Sequence, residues 1–207
     1  DIDMATQLLP EETMARLQAA GIKALPTGLA HGTVTAVLAD GPVEITTLRK
    51  DVETDGRHAV VEFAKEWQDD AARRDFTINA MYFDPVTQTV VDYHKGFSDV
   101  RSQVLRMIGD PVKRYREDPV RMLRAIRFAA KTGFALDKAT QAPIAKLSNL
   151  LQDVPPARLF DEILKLLMSG HSWAAIQGLR NAGLHHGLLP LLDQILDSGA
   201  DSKGAND

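Results

Sequence analysis

The sequence contains no cysteine, which excludes disulfides and thiolate metal centres. No apolar run reaches the roughly 18 residues that a membrane-spanning helix requires. No charged-then-apolar leader of the secretory kind opens the chain, so the expected location is cytoplasmic and no membrane partner is expected. Internal repeats and low-complexity stretches are also missing. There is no initiator Met: the chain opens on Asp1, which reads as a chain whose natural start lies upstream. The net charge of −4 does not by itself announce a nucleic-acid ligand. At 207 residues, with 44% hydrophobic and 25% charged residues, the chain is long enough for one or two domains with a real core.

The charge is unevenly placed. Residues 101–131 hold nine Lys/Arg against three Asp/Glu, a local +6, and a basic stripe is compatible with phosphate binding even on an acidic protein. Within it, Arg116–Phe128 predicts a helix with Pro119 in the first turn and Glu117 and Asp118 at its partly positive N-terminal end. Arg121, Arg124 and Arg127 follow at steps of three, forming a slowly drifting band on one side. Met122, Ile126 and Ala129 can face a core, with Leu123 and Phe128 on the flanks. A carboxylate followed by three guanidiniums suits a polyphosphate and a base edge; the alternative is a solvated face laced with surface ion pairs.

The chain opens with Asp1-Ile2-Asp3, read as a strand end. Alternation puts Asp1 and Asp3 on one face, where they repel unless a cation lies between them; Mg²⁺ prefers such oxygen ligands. Surface aspartates at a chain end are the alternative. Pro10 opens a helix that Gly21 ends. Thr33–Ala39 and Val43–Leu48 read as two strands joined at Asp40-Gly41, with Glu44 either solvated or a third carboxylate beside the Asp pair. Residues 49–59 read as a polar loop, and strands resume at Val60–Phe63 and Thr89–Tyr93. Arg73-Arg74-Asp75 reads as lying at a helix start, a place for phosphate, or as an interface ion pair. Beyond Gly109 the pattern predicts helices over 111–118, 119–132, 138–150, 156–169, 172–183 and 185–196, with Leu159–Met168 amphipathic core packing. The tail 198–207 is small and polar and is expected to fray.

Four stretches occur in one order: D-I-D-M-A-T from Asp1, E-I-T-T-L-R from Glu44, A-R-R-D-F-T-I-N-A from Ala72, and R-Y-R-E-D-P-V-R-M-L-R-A-I-R-F-A-A from Arg114. Together they resemble the bacterial class II RNA nucleotidyltransferases, which comprise tRNA CCA-adding enzymes and poly(A) polymerases. Residues 27–81, with T-G-L-A-H-G-T and D-G-R-H, look more like the CCA-adding branch. Residues 88–170, with V-V-D-Y-H, R-M-I-G-D-P and V-P-P-A-R-L-F-D-E, look more like the poly(A) branch.

The resemblance implies an α+β fold. A polymerase-β-type nucleotidyltransferase head, a partial mixed sheet with helices over residues 1–108, would precede an all-α neck and body over 109–197 that binds nucleotide and RNA. Asp1 and Asp3 would hold two Mg²⁺ ions, with Glu44 as the third catalytic carboxylate. Arg74 would contact the nucleotide, Asp118 and Arg121 would read the Watson–Crick edge of the incoming base, and Arg124 and Arg127 match further nucleotide-contacting positions. The implied activity is template-independent transfer of AMP from ATP to an RNA 3′ end, mRNA or tRNA, with CCA addition to tRNA from CTP and ATP as the rival and a non-catalytic RNA- or nucleotide-binding fragment as a third reading. Two departures stand out. The family's Gly-Gly-x-Val-Arg-Asp segment, which holds the triphosphate, lies upstream of the D-x-D and is not in this chain, so the chain taken alone is expected to be weak or inactive. Lys95 replaces one Gly of the family's Gly-Gly turn.

Overall fold

A computed structural model of the chain describes residues 3–54, 59–186 and 188. The chain divides into two compact units, one of residues up to Asp75 with Asn79–Gly96, the other of Phe76–Ile78 with the chain from Phe97 on.

The first unit contains β1 (Asp3–Thr6), α1 (Pro10–Ala19), β2 (Lys23–Gly28), β3 (Thr33–Leu38), β4 (Gly41–Thr47), β5 (Arg49–Thr54), β6 (Ala59–Phe63), α2 (Trp67–Arg73), β7 (Met81–Asp84) and β8 (Thr89–Asp92). Four strands form a mixed sheet in the order β1-β4-β3-β2. β1 runs parallel to β4, and the other pairs are antiparallel. β5–β6 and β7–β8 are separate two-stranded ladders. Pro10, with no N–H to leave unpaired, starts α1, and Gly21 at φ 74° lies just beyond its end. α1 packs on β2 and β3. Alternation along β3 puts buried Val34 and Ala36 on one face and Thr33 and Thr35, the latter also buried, on the other.

Several expectations are corrected here. The β3–β4 loop is Ala39-Asp40, because Leu38 pairs with Gly41; Gly41, at φ 129°, is already the first residue of β4. Residues 49–54, expected as loop, form β5 and pair with β6 through a register shift between Asp51 and Glu53. Their polar sequence shows no apolar face, so only the partner strand reveals them. Of the expected loop, residues 55–58 lie outside the described residues.

The second unit adds α3 (Gly96–Ser102), β9 (Val104–Leu105), α4 (Pro111–Glu117), α5 (Val120–Thr132), β10 (Ala135–Leu136), α6 (Lys138–Gln141), α7 (Ile144–Leu147), α8 (Pro156–Leu167) and α9 (Ser172–Asn181). It is helical except for the short parallel pair β9–β10. Asp110 caps α4 by accepting from the Lys113 N–H at 2.8 Å, with Pro111 in the first turn. Gly133 closes α5 at φ 72°. The helix expected over 138–150 is broken at Pro143 into α6, α7 and a 3₁₀ turn, Ser148–Asp153, because proline cannot supply the internal N–H and clashes with the preceding turn. Of the helix expected over 185–196, residues 187 and 189–196 lie outside the described residues, as does the tail.

α5 organises this unit's core. Val120, Met122, Leu123, Ala125 and Ile126 are buried along one face, and α5 packs against α8 and α9. Phe76 bridges to Met107 and is fully buried in the same core. No helix among the described residues is long and apolar enough to cross a membrane.

Candidate active site

The sheet of the first unit carries the carboxylates. Asp3 on β1 is the register partner of Glu44 on β4, and Glu44 is the partner of Thr35 on β3. Directly opposed residues share a face, and adjacent strands run about 4.8 Å apart. Asp3, Glu44 and Thr35 therefore form one row across three strands, on the face opposite buried Val34 and Ala36. The next row holds Thr46 and Thr33, whose hydroxyls are 3.1 Å apart. Asp3 and Glu44 are both exposed, and neither has an ion-pair partner among the described residues. Two neighbouring anions with hard oxygen donors and no internal cation fit a divalent ion such as Mg²⁺. Asp1 lies outside the described residues. Among the described residues no cluster of three or more His, Asp or Glu side chains forms a metal cage.

Arg73 and Arg74 lie at the end of α2, not at a helix start: Arg73 is its last residue and Arg74 its extended C-cap. Asp69 and Asp70 occupy the first turn instead, each charge at the helix end that suits it. Asp70, 1% exposed, is the hub. Its Oδ1 accepts from the Arg49 N–H (3.0 Å) and from Nε and Nη2 of Arg73 (2.9 and 2.7 Å). Its Oδ2 accepts from the Tyr82 hydroxyl (2.6 Å) and Arg74 Nε (3.2 Å). Burial alone would raise the Asp70 carboxyl's pKa, but Tyr82, Arg73 and Arg49 outweigh it and hold it below the ordinary carboxylate value. Burial, and donation to Asp70, push the Tyr82 hydroxyl's pKa well up.

In the second unit Asp118 is the extended residue between α4 and α5, and Arg121 lies one turn on. The Arg158 guanidinium, from α8, spans both Asp118 oxygens at 3.1 and 3.0 Å. Arg121 donates through Nη1 to the Arg114 carbonyl at 3.1 Å and to Glu117 Oε2 at 3.3 Å. Contrary to expectation, Glu117 ends α4 instead of lying at the start of α5, and Pro119 is the N-cap of α5, not part of its first turn; Glu117 orients Arg121 from the preceding helix. The arginine band is not uniform. Arg124 and Arg127 lie over the Phe128 ring, 5.4 and 4.5 Å from its centroid, and Arg127 also pairs through Nε with buried Glu162 of α8.

Sequence reasoning did not single out Asp70, Tyr82, Arg158 or Glu162. Asp70 carried a signal, an acid three and four residues before two arginines. Glu162 carried another, an acid on the apolar face of an amphipathic segment. Arg158 lies 40 residues from Asp118 and carried none.

The mixed α+β architecture matches the nucleotidyltransferase head of CCA-adding enzymes. The profile of the "Poly A polymerase head domain" matches residues 1–106, and a second, the "Probable RNA and SrmB- binding site of polymerase A", matches residues 133–196. The chain thus belongs to the poly(A) polymerase head-domain family. It is 50% identical over 135 residues to Poly(A) polymerase I of Haemophilus influenzae, covering 65% of this chain and 30% of that protein. It is 38% identical over 189 residues to the mitochondrial CCA tRNA nucleotidyltransferase 1 of Danio rerio, covering 89% and 43%. The crystal structure of the Bacillus stearothermophilus CCA-adding enzyme in complex with CTP superposes with a TM-score of 0.80 at 35% identity, covering 91% of this chain and 45% of that one. The chain spans less than half the length of each of these relatives.

Proposed function

We propose that this chain carries the head and neck of an RNA nucleotidyltransferase that transfers AMP from ATP to an RNA 3′-hydroxyl without a template. The observation that carries the reading is the register that places exposed Asp3 beside exposed Glu44, in a chain of the poly(A) polymerase head-domain family. Asp3, with Asp1 and Glu44, would hold two divalent ions. Bound Mg²⁺ supplies charge neutralisation at the attacking and leaving oxygens. In the reaction the RNA 3′-hydroxyl gives up its proton to solvent, its oxygen forms a bond to the α-phosphorus, the bond from the α-phosphorus to the oxygen bridging to the β-phosphorus breaks, and pyrophosphate leaves with that oxygen.

The chain's own residues would choose and hold the nucleotide. Asp118 would accept from an exocyclic amine, and Arg121 would donate to a ring nitrogen or carbonyl. Adenine and cytosine offer that amine, and guanine offers none at the equivalent place. A carboxylate has lone pairs to spare beyond the two bonds from Arg158, so the pair leaves Asp118 able to accept. Arg74, Arg124 and Arg127 would contact the nucleotide, and the basic stripe would hold RNA chiefly through phosphates.

ATP as sole nucleotide is favoured by the 50% identity to a poly(A) polymerase. CCA addition from CTP and ATP is the second reading, favoured by the longer match to a CCA tRNA nucleotidyltransferase. The full-length protein that contains this chain is to be incubated with Mg²⁺, ATP and CTP on an unstructured RNA and on a tRNA ending before its CCA. Extension of the unstructured RNA by A alone supports poly(A) addition; incorporation of C with arrest after three nucleotides supports CCA addition. No incorporation on either RNA defeats both.

A further inference from the structure

We infer that Asp70 and Tyr82 are positioning residues for Arg74, fixing its guanidinium in the orientation that meets a nucleoside triphosphate. The inference rests on the reading of Arg74 as a nucleotide contact. The two oxygens of Asp70 have different tasks. Oδ1 is taken by the Arg49 N–H and by Arg73, which closes the hub on itself. Oδ2 serves Tyr82 and Arg74: the Tyr82 hydroxyl donates to it at 2.6 Å, and Nε and Nη2 of Arg74 lie 3.2 and 3.1 Å away. Arg74 Nη1 is fixed separately by the Asn79 carbonyl at 3.0 Å. The plane is held from its face by the Tyr82 ring, 5.2 Å from the guanidinium carbon to the centroid, and that ring abuts Trp67 edge-on at 5.1 Å.

The arrangement is more than charge balance. A carboxylate this buried is costly to keep, and a hydrophobic filling of the same volume is often as stable. Yet the Arg74 side chain stays 34% exposed, against 19% for Arg73 and 2% for Asp70. The hub thus freezes one guanidinium while leaving part of it accessible. An arginine held this way loses little side-chain freedom when an anion arrives and is already aimed.

The test measures, in the full-length protein that contains this chain, the equilibrium affinity for ATP with Mg²⁺, together with pyrophosphate release and melting temperature, in the wild type, Tyr82→Phe, Asp70→Asn, Arg74→Ala and the two double variants on Arg74→Ala. Tyr82→Phe keeps the ring and removes one donor, so it guards against the chance that Asp70→Asn does not fold. Positioning predicts that Asp70→Asn weakens ATP affinity by roughly tenfold to a hundredfold, as displaced binding groups do, that Tyr82→Phe weakens it less, and that neither change weakens it further once Arg74 is Ala. Unchanged ATP affinity in a folded single variant, or equal losses with and without Arg74, overturns the inference. A wild type that neither binds ATP nor releases pyrophosphate defeats the functional reading itself, and the inference with it.

Discussion

Asp70 shows how one side chain links stability to pH. Its folded carboxyl titrates below the ordinary value. The stabilisation it brings is therefore complete above the unfolded value of about 3.9 and is lost as pH falls through the lower folded value. Urea titrations from pH 7 to pH 2 should show wild-type stability falling in that acid range. Asp70→Asn should be about 3 kcal/mol less stable at pH 7, as for a broken buried pair, and flatter below pH 4. Lys95 makes the opposite case. It sits at φ 63°, a left-handed conformation that costs L-residues about 1–2 kcal/mol and that glycine adopts freely. Allowing for glycine's larger entropy in the unfolded chain, Lys95→Gly should stabilise by about 0.5–1 kcal/mol in denaturant unfolding. The family resemblance implies glycine at this position, and the backbone angle gives a physical reason for it.

At the scale of elements, α5 is held on two sides. Along its buried face it meets α9 at Gly178, where an added Cβ would come within 2.7 Å of Ile126 Cγ2. Gly178→Ala should therefore destabilise by about 1–2 kcal/mol, overpacking outweighing the gain of about 1 kcal/mol in helix propensity. Adding Ile126→Ala, which removes that methyl, should abolish the penalty specific to Gly178→Ala, read as a coupling energy in a double-mutant cycle. At its start, α5 meets α4 around Asp118. If Asp118 and Arg121 read the base, Asp118→Ala and Arg121→Ala will loosen discrimination of ATP against GTP by about tenfold or more, as a lost base-edge pair does, while triphosphate affinity changes less. Competition assays with both nucleotides measure this, and unchanged discrimination in both variants removes the templating role. α5 itself was legible from its period and from Gly133. The break at Pro143 was also written in the sequence, but a local pattern of helix formers on both sides concealed it. β5 was not legible, because a strand without an apolar face is identified only by the strand it pairs with.

For the whole molecule, the proposed reading divides chemistry and grip between the two units. The carboxylate row belongs to the first, whereas the basic stretch 101–131 belongs to the second. In the full-length protein, Asp3→Asn should accordingly abolish Mg²⁺-dependent pyrophosphate release while leaving RNA affinity within about twofold, since phosphate contacts by Lys and Arg supply most of it; filter binding beside a pyrophosphate assay separates the two. A parallel loss of RNA binding would mean that the carboxylates serve the fold rather than the chemistry.

Local order in this protein is determined by the sequence. Alternation assigned Glu44 to one face of its strand, the 3.6-residue period gave α5 its buried stripe, and four ordered motifs pointed to the family. Which residues become partners was decided by tertiary structure: Asp3 with Glu44, Asp118 with Arg158 across 40 residues, and Arg127 with Glu162 across 35. Periodicity tells a side chain which way to face relative to its neighbours in the chain. Only closure of the backbone over tens of residues, driven by burial of the apolar faces, decides what it faces.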